Sequence, residues 1–138
     1  SEGKGDLKNY WNWQVGDAYI SAGGVISNIE DMLSYLKMQI NEIGEFSQCH
    51  KVLEKIDTVN AQHQKMGIHT DEIGMAWILD TYNGFVWHNG GTGGFQSYLA
   101  FHPQSKTGIV ILSNLSPKVR IPATVYGVKL LQELVSSK

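Results

Sequence analysis

His88-Asn89-Gly90-Gly91-Thr92-Gly93-Gly94-Phe95 decides the fold of this chain. It follows the strand-like run Phe85-Val86-Trp87 and precedes a second such run, Gln96 to Phe101. Glycines gathered around a His, an Asn and a Thr between two strands indicate positive φ, a bulge, or close approach of another backbone or a ligand. A strand edge with free amides and no side chains in the way can hold an oxyanion or an extended substrate. The plainer reading is a Gly-rich hairpin loop.

Outward from this stretch the chain reads as alternating strands and turns, then a helix. Ile73 to Asp80 is expected as a strand, and Tyr82-Asn83-Gly84 carries an Asn-Gly hairpin signal. Phe85 to His88 and Phe95 to Phe101 follow as strands. Pro103 to Gly108 is turn chemistry. Ile109 to Leu115 is a nearly unbroken apolar strand, expected to be buried on both faces. Pro117 breaks the chain. Pro122 opens a closing helix to about Val135, with Ile121, Val125, Val128, Leu131 and Val135 on one stripe.

Upstream, Ser27 to Asn41 is the strongest helix. Ser27 and Glu30 fit a capping box, Ile29, Met32, Leu33, Leu36 and Ile40 share a face, and Gly44 is a stop. A weaker helix is expected over about Cys49 to Asn60, a loop over Ala61 to Asp71, and a tight turn over Asp17 to Gly24. The expected class is α+β, an antiparallel sheet of about four strands (residues 73–115) with helices packed on it, including a C-terminal one. Residues 1–16 read as an extended lead-in bearing Tyr10, Trp11 and Trp13. Residues 17–138 read as one domain.

Composition narrows the function little. The chain has 138 residues, 42% apolar and 17% charged, an ordinary globular mix. Its 11 basic and 13 acidic residues give a net charge of -2, with no basic patch for nucleic acid or anionic membrane. The single cysteine, Cys49, excludes an intrachain disulfide and reads as a small buried hydrophobe. No apolar run approaches the roughly 20 residues needed to span a bilayer. His50, His63, His69 and His102 lie in different elements without metal-ligand spacing, so no metal and no cofactor is expected. Trp77 and Trp87 are expected as core or cleft wall, and Tyr98 toward the cleft or solvent. The polar opening Ser1 to Asp6 reads as a cut within a longer chain.

Several ordered segments then resemble one family. His88 to Phe95, Gln96 to Pro103, and Gly108-Ile109-Val110-Ile111-Leu112-Ser113-Asn114 resemble the C-terminal part of the penicillin-recognising serine hydrolases. The likeness is to the branch of class C β-lactamases, D-alanyl-D-alanine carboxypeptidases and esterases. Ala22-Gly23-Gly24 with Asn28 to Met32 resembles its small-Gly-Gly segment and following helix. Gly74-Met75-Ala76-Trp77 resembles its Gly-Leu-Gly-Trp strand. The resemblance covers most of the chain from about Asp17.

The family uses Ser-x-x-Lys, then Ser- or Tyr-x-Asn, then Lys-Thr-Gly. In this branch the third reads His-x-Gly, and His88-Asn89-Gly90 fills it. The resemblance implies acyl transfer, in which a serine attacks a carbonyl and backbone amides hold the oxyanion. It makes His88 and Gly91 the catalytic candidates: Gly91 as an oxyanion amide, His88 in place of the lysine. It makes Asn89, Gly90 and Asn114 substrate-binding candidates. The substrate would be a D-alanyl peptide, a β-lactam or an ester, and the location extracytoplasmic, in a bacterial envelope or secreted.

The nucleophile is not in an expected place. Ser34-Tyr35-Leu36-Lys37 spells Ser-x-x-Lys, but in mid-helix on the polar face. Tyr10-Trp11-Asn12 spells Tyr-x-Asn too near the small-Gly-Gly segment. The expectation is therefore a C-terminal portion of a longer hydrolase, inactive alone, whose other motifs lie in a missing N-terminal part. One alternative is a non-catalytic truncated homologue that binds a peptide or partner through exposed strand edges, prone to dimerise or swap. Another is an unrelated α+β binding domain, separable by whether the His88 strand lies antiparallel to the one from Phe95 with the closing helix across the same sheet.

Overall fold

The computed structural model describes residues 13–115 and 122–137. Tyr10, Trp11, Asn12, Pro117 and Ile121 lie outside them. Six antiparallel strands cross one sheet in chain order: β1 (Glu54–Lys55), β2 (Glu72–Ile73), β3 (Ile78–Asp80), β4 (Phe85–Gly91), β5 (Gln96–His102) and β6 (Thr107–Ser113). The α+β expectation holds, with the sheet wider than four strands. The expected strand from Ile73 to Asp80 is two strands, because Ala76 turns the chain at φ +60 between them. In place of a helix over Cys49 to Asn60 there is one helical turn, α3 (Phe46–Cys49), and then β1. Within the expected loop lies α4 (Ala61–Lys65), started by Asn60, whose side chain accepts from the amides of Gln62 and His63. The tight turn before Gly24 is a single helical turn, α1 (Ile20–Gly23).

Two longer helices cover opposite sheet faces. α2 (Ile29–Ile40) starts one residue later than its pattern indicates. Asn28 is the cap: its Oδ1 accepts from Asp31 N at 2.9 Å and its Nδ2 donates to Asp31 Oδ2 at 2.8 Å. The helix stops at Asn41, and left-handed Glu42 and Gly44 turn the chain away. Leu36 and Ile40 of α2 reach β6 at Gly108, where an added Cβ would come within 2.9 Å of both side chains. Leu36 then shares a buried cluster with Trp77, Leu79, Val86, Leu99 and Phe101.

On the other face, α5 (Ala123–Ser136) packs Ala123, Val128 and Leu131 against Phe85, Trp87, Tyr98 and Ala100. A Cβ at Gly127 would run into the Tyr98 ring, so only glycine lets the helix sit this low. Pro122 is the N-cap and not the first helical residue. Each large apolar side chain buried here is worth about 1.5–3 kcal/mol. The strands from 85 to 113 alternate between these faces. Helices flank both faces of β6, but none of its residues is buried and Leu112 is 43% exposed, because β6 is the sheet edge among the described residues; the expected burial on both faces is not met.

Candidate functional site

β4 and β5 pair from Val86↔Phe101 to Gly91↔Gln96, and Thr92 N donates to Phe95 O at 2.9 Å to close the ribbon. The His88 strand is thus antiparallel to the one that follows, with α5 across the same sheet, which excludes the unrelated-domain reading. The positive-φ glycines among the described residues are Gly16, Gly44, Gly67 and Gly84, outside this stretch. Close approach applies at Gly90, where a Cβ would lie 2.8 Å from Ser97 Oγ; at Gly93 nothing stands within 4 Å.

Side chains alternate along β4, so His88 and Gly90 share the α2 face while Asn89 and Gly91 belong to the α5 face. His88 is exposed. Asn89 Nδ2 donates to Thr124 Oγ1 at 2.8 Å in the first turn of α5, so its side chain is held away from His88. Backbone groups alternate as well. Thr92 bonds to β5, and by the antiparallel ladder Gly90 and His88 do too. The N–H and C=O of Asn89 and Gly91 therefore turn toward the β3 side. β3 pairs only as far as Trp87. Among the described residues no strand covers that edge beyond Trp87.

Asn114 follows β6 directly and is exposed. Gly91, Gln96 and Ser113 form one row across the sheet, so Asn114 stands at the same end as Gly91, two strands away. That is roughly 10 Å at the usual strand spacing. His88, Gly90, Gly91 and Asn114 therefore gather at one end of the sheet, and Asn89 joins them through its backbone.

Two positioning residues were missed in the sequence. Gln96 is buried; its Oε1 accepts from Ala123 N at 3.0 Å and its Nε2 donates to Leu115 O at 3.2 Å. It thus fastens both sides of the β6–α5 connection to the strand beneath the Gly-rich turn. Thr124, also buried, holds Asn89. The only available signal was a polar residue opening an apolar strand.

Of the two misplaced motifs, Tyr10-Trp11-Asn12 lies outside the described residues, and Ser34-Tyr35-Leu36-Lys37 sits in mid-helix in α2. Ser34 Oγ donates to Glu30 O at 2.9 Å within its own exposed helix turn, and Lys37 is exposed. Tyr98, expected at the cleft or solvent, is fully buried under α5. Burial pushes its hydroxyl well above the ordinary tyrosine range. Trp77 and Trp87 are core residues on opposite faces. The side chains best placed for a cation, His69, Asp71 and Asp80, stand at the other end of the sheet.

Known proteins place this geometry. A family model described as Beta-lactamase matches residues 2–131. The D-alanyl-D-alanine-carboxypeptidase/endopeptidase AmpH of Escherichia coli strain K12 is 28% identical over 134 residues, 88% of this chain and 34% of the relative. Its counterpart in Escherichia coli O157:H7 matches equally. The chain spans about a third of the length of these curated relatives. Among solved structures, the octameric penicillin-binding protein homologue from Pyrococcus abyssi aligns with a TM-score of 0.63 at 20% identity. The alignment covers 80% of this chain and 24% of that one, a likeness of fold. With the family model spanning nearly the whole sequence and the sheet built as that fold requires, the chain belongs to the beta-lactamase family.

Proposed function

We propose that the outer edge of β4 is one wall of an acyl-transfer cleft in the intact protein, a serine hydrolase acting on D-alanyl peptides, β-lactams or small esters. The observation that carries this reading is the open edge at Asn89 and Gly91, anchored from below by Asn89 to Thr124 and by Gln96 to Ala123. A backbone N–H held rigidly at an uncovered edge can stabilise charge that develops only in the transition state.

In this account a serine Oγ attacks the substrate carbonyl and loses its proton to a neighbouring base. The Gly91 N–H holds the resulting oxyanion. The tetrahedral adduct collapses, the leaving group takes up the proton, and water then releases the acyl group. His88, exposed beside the edge, donates to the proton relay or to a substrate carboxylate. Gly90 keeps the strand free of a side chain, Asn89 offers its main chain to an extended substrate, and Asn114 flanks the far side. The serine, its lysine and the tyrosine come from another part of the intact protein, so this chain alone is inactive. An extracytoplasmic location goes with the same reading; among the described residues no helix is long and apolar enough to cross a membrane. Removing the His88 motif from the intact protein should abolish labelling by a fluorescent penicillin or turnover of a p-nitrophenyl ester. Unchanged labelling would overturn the assignment.

One observation favours a second, non-catalytic reading for the chain alone. Among the described residues β6 is an edge strand of seven residues, Thr107–Ser113, mostly apolar. Such an edge recruits another strand, from a peptide, a partner or a second copy. Light scattering should then show dimers of the isolated chain, and a clean monomer at high concentration counts against it.

A further inference from the structure

We propose that His69, Asp71 and Asp80 form a divalent-cation site, suited to Zn2+, that ties the β2–β3–β4 turn region together at the end of the sheet remote from Gly91. One donor atom from each residue lies within 4.8 Å of the others. Tetrahedral ligands bound at about 2.0–2.2 Å stand about 3.3–3.6 Å apart, so side-chain rotation must draw the donors together by up to about 1.5 Å.

The carboxylates are already oriented. Asp71 Oδ2 accepts from Thr81 N at 2.8 Å and from Thr81 Oγ1 at 2.7 Å. Asp80 accepts from Asn83 N at 2.7 Å and from Asn83 Nδ2 at 2.6 Å. Donors of this kind fix ligating carboxylates and leave lone pairs for a metal. The His69 ring is set by stacking on Tyr82, with centroids 4.4 Å apart and planes at 15°. Trp87 Nε1 holds its carbonyl at 3.2 Å.

Charge is the independent argument. Asp80 is 2% exposed, and Asp71 stands beside it. Among the described residues neither carboxylate has a Lys or Arg partner. A buried carboxylate beside another needs a proton, the charge of a neighbouring imidazolium, or a metal cation to offset it. The His69 imidazole beside the pair can supply that charge itself or, with the two carboxylates, make a borderline donor set that suits Zn2+. His69 also lines an open groove of about 460 Å³ with Gln64, Lys65, Lys129 and Gln132. The triad hides in the sequence because Asp80 sits on β3 while His69 and Asp71 sit in the loop before β2. From Phe85, the partner of Asp80, to Gly91 is roughly 20 Å along β4, so this site stands or falls independently of the acyl cleft.

The chain, freed of metal by chelation, is titrated with Zn2+ by calorimetry and with Co2+ by visible absorption. One equivalent of Zn2+ should bind with Kd of about 10 µM or tighter. Co2+ should give the bands of a low-symmetry nitrogen–oxygen site. His69→Gln and Asp80→Asn should each weaken binding by at least about tenfold, with circular dichroism unchanged. His63→Gln, outside the triad, should bind as the parent. Absence of stoichiometric binding, parent-like binding by folded His69→Gln, or equal loss in His63→Gln would overturn the site. The first outcome would mean that a proton or the His69 imidazolium offsets the two carboxyls instead.

Discussion

The two ends of the β3–β4–β5 ribbon are built in opposite ways. The Thr81–Gly84 turn is tied down by side-chain hydrogen bonds. Asp71 holds Thr81, Asp80 holds Asn83, Asn83 Nδ2 donates to Gly67 O at 3.2 Å, and Gln132 Nε2 from α5 donates to Asn83 Oδ1 at 2.8 Å. At the Gly91–Phe95 turn the groups on top face solvent: His88, Asn89, Gly90 and Gly91 are exposed, and Phe95 is 45% exposed. Yet this end is held from beneath by Asn89–Thr124 and Gln96–Ala123. One end spends its donors on the fold. The other keeps its edge donors unspent on a rigid support, as a site that stabilises transient charge requires.

The largest test of this contrast is Gly91→Pro in the intact protein. Proline removes one N–H on the uncovered side of an edge, where strands tolerate it. Acylation by a fluorescent penicillin should slow by about 10²–10³-fold, while urea melts move little. Parent-like acylation would erase the functional half of the contrast. Next, Asn83→Ala strips the tied end of its bonds to Asp80, Gly67 and Gln132. It should cost about 2–3 kcal/mol in urea unfolding and leave acylation of the folded fraction unchanged. If it slowed acylation selectively, the two ends would be coupled.

The smallest effect lies between the ends, at His50. This ring stands 5.1 Å from Phe101 and 5.8 Å from Trp77, and its Nε2 is paired with Gln39 Oε1 at 2.7 Å. Burial depresses its pKa below the ordinary 6.5, against a weaker upward pull from Glu42. The unfolded chain then binds the proton more readily, so His50's contribution to stability is complete above 6.5 and is lost as pH falls below it. Melting temperature should fall modestly between about pH 7 and pH 5, and His50→Gln should flatten that slope.

Much of this was legible in the sequence, and the divide is physical. α2, β4 to β6 and α5 carry long apolar periods, and those periods locate them. β1 and β2 have two residues each, too few to show a period, and α4 is polar all round, so only Asn60 marks it. Ile29 and Leu33 fit the α2 stripe yet are 43% and 41% exposed, because the helix meets the sheet cluster through Met32, Leu36 and Ile40. At the site, His88 to Gly91 was readable as a motif and alternation separates His88 from Asn89. The clasp from Asn89 to Thr124 spans 35 residues and exists only once α5 crosses the sheet, so no local pattern announces it.

The most direct measurement is a crystal structure of the intact protein trapped as its acyl-enzyme with a slowly hydrolysed β-lactam. The acyl carbonyl oxygen should lie at about 2.7–3.1 Å from the Gly91 N–H, with the ligand running along the open edge of β4 beside His88. An acyl group whose oxygen is held elsewhere, with that edge empty or covered by protein, would contradict the account.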